Sequence, residues 1–447
     1  MNAAVRVPTL SERLAAYICE ERFERIDPAA VARTKGLIAY NIGLALRITR
    51  SPTVDANMAL GVARRLSEGG GSSSLIGLRD KLTMPEAALA NCCLIRATGL
   101  DDVIFPAGIH SGLMTIPTGL AIAEQEHSSG RDFVVAMVVA YEMMGKFGRW
   151  TFDGNDPRRP TMPFGPFGAL TMAGRLLRLP HKKMVVALAY AAHTAMGLAE
   201  HDLGPVSAYY GLVCRNAIVG AYFAQSGAWG SPTVLEGRFG FVEAFLSGRP
   251  FDAEEILSSL GHDYVVLQAC EKRYPGTGAN HVAIELMRRF TLSGLRAEDV
   301  AAVEVEMPVE RQNFAAGHHL GPFITAGSAA SSSAFHMGII LLDGDIDFAR
   351  YDKANSPEIL SLLQRFRYRF VEGKPIRYCR ITVRKTSGET LVTAGDDFKF
   401  EPLPISEILE RDGSGVLPPE KIARASALIE HLEEVADMAQ VSEALRP

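Results

Sequence analysis

Apolar residues recur every three or four positions through the first half of the chain, which is the period of an amphipathic helix. From Leu10 to about Gly248 nearly every segment has this pattern, with Ala, Leu, Met and Glu as its common residues. The pattern predicts helices over residues 28–50, 87–97, 116–126, 131–147, 167–177, 181–200 and 209–226. Segments rich in glycine and proline separate them, as expected for turns. We therefore expect a helical domain over residues 1–252.

The period changes after Asp252. Residues 301–309, AAVEVEMPV, alternate apolar and acidic side chains, and residues 378–395 form two alternating runs about a Ser-Gly turn, which predicts an antiparallel hairpin. Helical runs at 334–342 and 357–366 lie between them. This mixture predicts a small α+β domain over residues 253–415. Residues 416–447 are again helical and are expected to complete the first domain. The predicted fold is mainly α, a large all-helical domain with an inserted α+β lid domain.

Composition restricts the partners and the location. The chain of 447 residues is longer than a typical domain with one hydrophobic core, so two domains or one large domain with an insertion are expected. The net charge of -5 gives no reason to expect nucleic acid or an anionic membrane as partner. The longest apolar stretch, FVVAMVVAYEMMG at 133–145, is interrupted by Glu142 and is too short to span a bilayer. The six cysteines are scattered without a metal-ligand spacing, and the N-terminus does not resemble a signal peptide. We expect a cytoplasmic protein with reduced thiols and no metal site.

The segment TGLDDVIFPAGIH at 98–110 contains the first candidate chemistry, the adjacent Asp101 and Asp102 followed by His110. One interpretation is a site that handles protons, since a carboxylate can orient an imidazole and favour its protonated form. The other is the polar end of a helix with a hydrogen-bonded loop histidine. The residues by themselves leave both interpretations open.

Several stretches, in order along almost the whole chain, resemble the MmgE/PrpD family. They are PEAALANCCLIRATGLDD (85–102), IPTGLAIAEQEHSSGRDFVVAMVVAYEMMGKFG (116–148), FGPFGALTMAGRLLRL (164–179), TVLEGRFGF (233–241), EKRYPGTGANH (271–281) and LLDGDIDFARY (341–351). The resemblance implies a large helical domain with a smaller α+β lid and a homodimer. It also implies chemistry without metal, flavin or nicotinamide, in which a small carboxylic acid is dehydrated, decarboxylated or epimerised.

The resemblance also implies roles for particular residues. Asp101, Asp102 and His110 match positions at the family's cleft, and we expect Asp102 to hold His110 while the imidazole exchanges a proton. Lys272 matches the family's lysine on the lid side, where it would bind a carboxylate or transfer a proton. The neighbouring matches Arg273, Tyr274 and His281 are candidate substrate-binding residues, and the place of His281 at the start of a helix favours a structural role over a catalytic one.

Several positions depart from the family pattern, among them Val103 after the aspartate pair and Phe335 in the lid. The family's histidine before FGPFG falls at Arg159, its lysine before the long helix at Val206, and the aspartate two positions before Asp101 at Gly99. Arginine cannot act as a base at neutral pH but binds carboxylates well, so Arg159 is a candidate substrate ligand. Tyr209 or Tyr210, just before Gly211, is a candidate second proton donor.

Three hypotheses follow for the function. The first is a cofactor-independent lyase, a dehydratase or decarboxylase, that abstracts a proton next to a carboxylate of a small acid. The second is an epimerase or isomerase that uses the same carbanion, which requires two proton-exchanging groups on opposite faces of one carbon. The third is a catalytically silent, ligand-binding dimer, because a fold alone does not determine activity.

Overall fold

The computed structural model describes residues 7–104, 108–148, 161–198, 206–246, 251–276, 280–396 and 401–447. Helices dominate the described chain before residue 260. They are α1 (Leu10–Glu20), α2 (Pro28–Arg50), α3 (Val54–Leu66), α4 (Met84–Arg96), α5 (Gly112–Gln125), α6 (Gly130–Gly148), α7 (Thr161–Leu176), α8 (His181–His193), α9 (Val206–Gln225), α10 (Phe241–Leu246) and α11 (Ala253–Ser259). Three short two-residue strands, β1 (Ser73–Ser74), β2 (Lys81–Leu82) and β3 (Val103–Ile104), interrupt the series.

The helix α2 shows how the local sequence sets these bounds. Asp27 caps its N-terminus by accepting the Ala29 N–H at 2.7 Å, and Pro28 occupies the first helical position, where no N–H is needed. Arg47 and Arg50 lie in the last turn, where positive charge is favourable. The predicted helix over residues 28–50 is confirmed with both ends.

The helices α5 and α6 form the centre of the larger core, and almost every residue in them is buried. The acidic residue that interrupts the apolar run of α6, Glu142, is completely buried beside Lys146, with 3.1 Å between their charged atoms. Glu142 also accepts the Val265 N–H at 2.6 Å, and Lys146 donates to the Ser259 carbonyl oxygen at 2.6 Å. A buried ion pair is tolerable only with such additional hydrogen bonds. These bonds hold residues 259–265 against α6.

The rest of the chain contains a four-stranded sheet and further helices. The elements are β4 (Ala269–Cys270), α12 (Asn280–Leu292), β5 (Val300–Pro308), α13 (Ala326–Ser331), α14 (Ser333–Asp343), α15 (Pro357–Leu363), β6 (Phe366–Val371), β7 (Cys379–Lys385), β8 (Thr390–Gly395), α16 (Ile405–Gly413), α17 (Pro419–Glu430) and α18 (Ala439–Ala444). The strand order is β6-β5-β7-β8, with β5 and β6 parallel and the other pairs antiparallel. The predicted hairpin at 378–395 is confirmed as β7 and β8.

Two large hydrophobic clusters contain most of the buried apolar residues in the described ranges. The larger contains the helices up to α11 and also Val266, Ile408 and Ile429 from later segments. The smaller joins α12, α14 and α15 to the strands β5 and β7. Side chains of α16 and α17 therefore pack with the N-terminal helices, although the sheet separates them in sequence.

The predicted fold class is confirmed, since the structure is mainly α with a small α+β portion. None of the helices within the described ranges is both long and apolar enough to cross a membrane.

Candidate active site

Strand pairing brings the two predicted site segments together. The strand β3 pairs with β4 in antiparallel register, with Val103 opposite Cys270. Continuing this register by two residues places Asp101 opposite Lys272. The Tyr40 hydroxyl of α2 lies 2.6 Å from the Leu100 carbonyl oxygen and 2.7 Å from that of Lys272, and accepts the Lys272 N–H at 3.0 Å. One side chain of α2 thus fixes both segments.

Asp101 lies at the centre of the site and is completely buried. Its Oδ1 accepts Nη1 of Arg96 at 2.7 Å, and its Oδ2 lies 2.7 Å from Nδ1 of His110. Burial opposes ionisation of this carboxyl, but the charges of Arg96 and Lys272 outweigh it and hold the pKa of Asp101 well below its usual value. Asp101 is therefore a carboxylate at neutral pH.

The environment of His110 determines which ring nitrogen can act as a base. Nδ1 faces two acceptors, Oδ2 of Asp101 at 2.7 Å and the backbone carbonyl oxygen of Asp102 at 2.9 Å. Nδ1 therefore carries the hydrogen, and the lone pair of the neutral ring is on Nε2. Burial and the nearby charge of Lys272 lower the pKa of His110 below its usual 6.5, so the ring is neutral at pH 7. The side chain is 18% exposed, which leaves the ring accessible.

Lys272, the second candidate for proton exchange, is buried beside Asp101. Lys272 is only 5% exposed, and its Nζ donates to the carbonyl oxygen of Gly99 at 3.2 Å. Burial lowers the pKa of Lys272 to about 8, although Asp101 opposes this effect. The amine is therefore mostly protonated at pH 7 and can still release its proton without a large cost.

The side chain of Asp102 contacts groups other than the His110 ring. Its Oδ1 accepts Nδ2 of Asn41 at 3.0 Å and the Gly112 N–H at 3.1 Å, and its Oδ2 accepts the Tyr141 hydroxyl at 2.9 Å. The carboxylate oriented towards His110 is that of Asp101, and Asp102 contributes only its backbone carbonyl. Complete burial raises the pKa of Asp102 to about 6, despite the hydrogen bonds that favour the ionised form.

The two candidate tyrosines occupy different environments on α9. Tyr210 is 3% exposed, and the guanidinium carbon of Arg96 lies 5.2 Å from the centre of its ring. Tyr209 is 38% exposed on the outer side of the helix. Tyr210 is thus the tyrosine that α9 brings to the Asp101 cluster. Val206 is the first residue of the same helix.

The remaining predicted ligands are placed less centrally. Arg273 is exposed, and its guanidinium carbon lies 5.8 Å from the centre of the Tyr274 ring. Tyr274 is buried and donates its hydroxyl to the Glu285 carboxylate. Burial and, to a smaller extent, the positive charge of Lys272 lower the pKa of His281 to about 3, so the His281 ring is neutral at pH 7. Arg159 lies outside the described residues.

Four residues of the site were not predicted from the sequence: Arg96, Tyr40, Asn41 and Tyr141. Arg96 stands in the segment LIRATGLDD, five residues before Asp101, but no local spacing marks it as the partner of that carboxylate. The other three lie in the predicted helices α2 and α6, far from residues 101–110 in sequence. Their polar groups in otherwise buried helix faces were the available signal, because a buried polar group requires a partner.

Comparison with known proteins identifies the family. Residues 12–254 match the model of the MmgE/PrpD N-terminal domain, which is more than half of the chain. The chain belongs to the MmgE/PrpD family. Among its relatives, a cis-aconitate decarboxylase of Aspergillus terreus (strain NIH 2624 / FGSC A1156) is 25% identical over 417 residues, 84% of each chain. A second Aspergillus terreus cis-aconitate decarboxylase is 30% identical over 254 residues, 51% of each chain. The cis-aconitate decarboxylase-like protein oryM of Aspergillus oryzae (strain ATCC 42149 / RIB 40) is 25% identical over 407 residues, 83% of this chain and 84% of the relative.

The site combines a neutral imidazole, a mostly protonated amine and an ionised carboxylate in one buried cluster. An imidazole base can remove a proton from carbon, and an ammonium group can bind a carboxylate or donate a proton. Within the described ranges, no group of three His, Cys, Asp or Glu side chains could hold a metal ion. Cofactor independence stays a prediction.

Proposed function

We propose that this MmgE/PrpD protein is a lyase that removes CO₂ or water from a small carboxylic acid, with His110 and Lys272 as the proton-exchanging residues. The observation that carries the proposal is the buried cluster in which Asp101 orients His110 and the charge of Lys272 acts on both. The names of the fungal relatives support decarboxylation as the first reaction to test and cis-aconitate as the first substrate.

Each reaction can be written with these residues. In a dehydration, Nε2 of His110 takes the proton next to a substrate carboxylate, the electron pair forms a C=C bond, and hydroxide leaves with a proton from Lys272 as water. In a decarboxylation, the C–C bond to the carboxylate breaks, CO₂ leaves, and the electron pair on carbon takes a proton from Lys272. Both reactions need a cation near the substrate carboxylates, which the protonated Lys272 also provides.

The alternative within the same site is epimerisation. His110 and Lys272 are two separate groups able to exchange protons, and an epimerase needs two such groups.

The test is to incubate the protein with cis-aconitate and other small di- and tricarboxylates in D₂O, and to follow products by NMR and CO₂ by trapping. We expect loss of CO₂ or water. Deuterium at the α carbon of an intact skeleton would instead establish epimerisation.

The absence of any change would contradict both enzymatic proposals. A silent, ligand-binding protein would still show a higher melting temperature with the acid it binds.

We also propose that the reaction uses only the side chains of the chain itself, so dialysis against a chelator should leave the rate unchanged.

We further infer a homodimer, supported by an apolar face on two neighbouring helices. The face consists of Val54, Met58, Val62 and Leu66 of α3 and Tyr209, Leu212, Val219, Tyr222 and Phe223 of α9. Each of these residues is between 36% and 55% exposed. Both helices pack on α4 and contact each other, so the two rows form one surface. Contiguous apolar patches of this kind mark interaction sites, and a second copy presents the same apolar chemistry.

A further inference from the structure

Arg96 connects the end of α4 to the candidate catalytic histidine. It is the last residue of α4, and its Nη1 donates to Oδ1 of Asp101 at 2.7 Å. The other carboxylate oxygen of Asp101 lies 2.7 Å from Nδ1 of His110. Arg96, Asp101 and His110 thus form a continuous chain of charge-assisted contacts through one buried carboxylate.

The turn after α4 is built to keep this contact. The Thr98 hydroxyl donates to the Ile95 carbonyl oxygen at 3.0 Å and accepts the Leu100 N–H at 3.1 Å. Gly99 has a φ of +66°, a conformation that residues with a Cβ rarely adopt. The turn therefore returns the chain within five residues, so that Asp101 faces the side chain of Arg96.

The flat guanidinium of Arg96 has a second neighbour. Its carbon lies 5.2 Å from the centre of the buried Tyr210 ring, a distance that allows a cation–π interaction. Burial disfavours the charge of Arg96, but Asp101 more than compensates and raises its pKa above the usual value. Arginine suits this position because it remains charged and offers directed donors together with a flat face.

We propose that Arg96 is a positioning residue for the reaction: it keeps Asp101 ionised and oriented, so that Asp101, together with the backbone carbonyl of Asp102, keeps the hydrogen on Nδ1 of His110 and the base at Nε2. This inference rests on the proposed function for its catalytic meaning. A buried carboxylate without its cation would take up a proton or draw one onto the neighbouring imidazole. A proton on the imidazole removes the lone pair of Nε2, and a neutral Asp101 no longer fixes the hydrogen on Nδ1.

Other titratable groups also act on this pair. They are Lys272 after β4, Asp102 beside Asp101, Tyr40 of α2, Tyr141 of α6 and Cys92 of α4, and Tyr210 of α9 acts on Arg96. Lys272 is the other cation, and it remains when Arg96 is replaced. Removal of Arg96 should therefore shift the titration of the pair without abolishing the effect of Lys272.

The test is an NMR titration of His110 in the full chain with ¹⁵N- and ¹³C-labelled histidine, assigned with His110→Gln. We expect the wild type to hold hydrogen on Nδ1 at pH 7. In Arg96→Met the Asp101–His110 pair should take up its proton at a pH at least about one unit higher, a roughly tenfold change in proton affinity. Arg96→Lys should restore most of the wild-type behaviour. Arg64→Met, which removes a surface partner of Asp80, should leave His110 unchanged.

The outcomes separate this inference from the proposed function. If Arg96→Met folds and its His110 titrates as in the wild type, the inference is wrong even when the enzyme turns over. If the titration shifts but the wild type transforms no acid, the proposed function fails and the positioning role stands. If Arg96→Met does not fold, Arg96→Gln keeps an amide donor without the charge and should show the same shift. Any residual activity should recover towards higher pH, which a merely structural defect would not produce.

Discussion

The surroundings of two adjacent aspartates shift their pKa values in opposite directions. Asp101 and Asp102 are both completely buried, and burial raises the pKa of any carboxyl group. Asp101 lies beside Arg96 and Lys272, which lower its pKa well below the usual value. Asp102 has only neutral hydrogen-bond donors in contact, and its pKa rises to about 6. The sequence could suggest that one of the pair orients His110, but only the contacts decide that it is Asp101.

The raised pKa of Asp102 has a measurable consequence for stability. Since its pKa in the folded state exceeds the 3.8 expected when unfolded, its contribution is fully present below that value and is lost as the pH rises through about 6. The difference corresponds to at most roughly 3 kcal/mol. We predict that Asp102→Asn, measured by urea unfolding, gains stability relative to the wild type between pH 4 and pH 7.

A matched variant controls for general effects of charge removal. The Arg64 hydrogen bond lowers the pKa of the partly exposed Asp80, so Asp80→Asn should change the pH dependence in the opposite direction and by less. Parallel stability curves for the wild type and Asp102→Asn would show that Asp102 is not buried in the way described.

At the scale of elements, regular helices were predictable, and the six-residue strand β6 was overlooked. The periodic pattern predicted α2 with both ends, because the capping residues and the buried apolar face of this helix indicate the same bounds. The predicted helix over residues 357–366 was wrong at its end, since α15 ends at Leu363 and β6 begins at Phe366. The sequence FRYRFV alternates aromatic and basic residues, so the strand signal was present. The pairing of β3 with β4 could not be predicted, because both strands are only two residues long.

The first residue of α5 provides an element-scale prediction. A Cβ on Gly112 would collide with Oδ1 of Asp102 and lie 2.5 Å from Nδ2 of Asn41 and 2.9 Å from the Tyr141 hydroxyl. We predict that Gly112→Ala lowers the free energy of unfolding by about 1–3 kcal/mol, as overpacking usually does, and disturbs the site. Thermal or urea unfolding measures the effect.

The control for this prediction is Gly36→Ala in α2. No atom lies within 4 Å of a Cβ on Gly36, and alanine stabilises a helix interior by up to about 1 kcal/mol relative to glycine. If both variants gain stability, the close packing around Asp102 is not as described.

At the scale of the whole molecule, the apolar face on α3 and α9 lies close to the site. Tyr209 belongs to this face, and the next residue, Tyr210, contacts Arg96. An interface at this surface would cover the outer side of the helix that supports the Asp101 cluster. The sequence could not reveal the face, because its positions become one surface only when both helices pack on α4.

The proposed dimer can be tested by light scattering after gel filtration. We predict a dimeric wild type and a largely monomeric Met58→Glu/Leu212→Glu variant, because a charge in an apolar interface must be desolvated. Val392→Glu, at a residue 50% exposed on β8 and outside the face, should remain dimeric. A monomeric wild type, or a double variant that stays dimeric, would refute the proposed interface.

The most direct test of the central claim is the rate at which CO₂ or water is released at pH 7 by the wild type, His110→Gln and Lys272→Arg. Glutamine cannot act as a base, and arginine keeps the positive charge for substrate binding but does not release a proton. We predict that both variants bind the acid and that Lys272→Arg loses roughly 10²- to 10⁴-fold in the rate of either reaction, the usual contribution of a general acid or base. His110→Gln should lose as much in the release of water, which begins with removal of a proton from carbon. Wild-type rates in both folded variants would contradict the account.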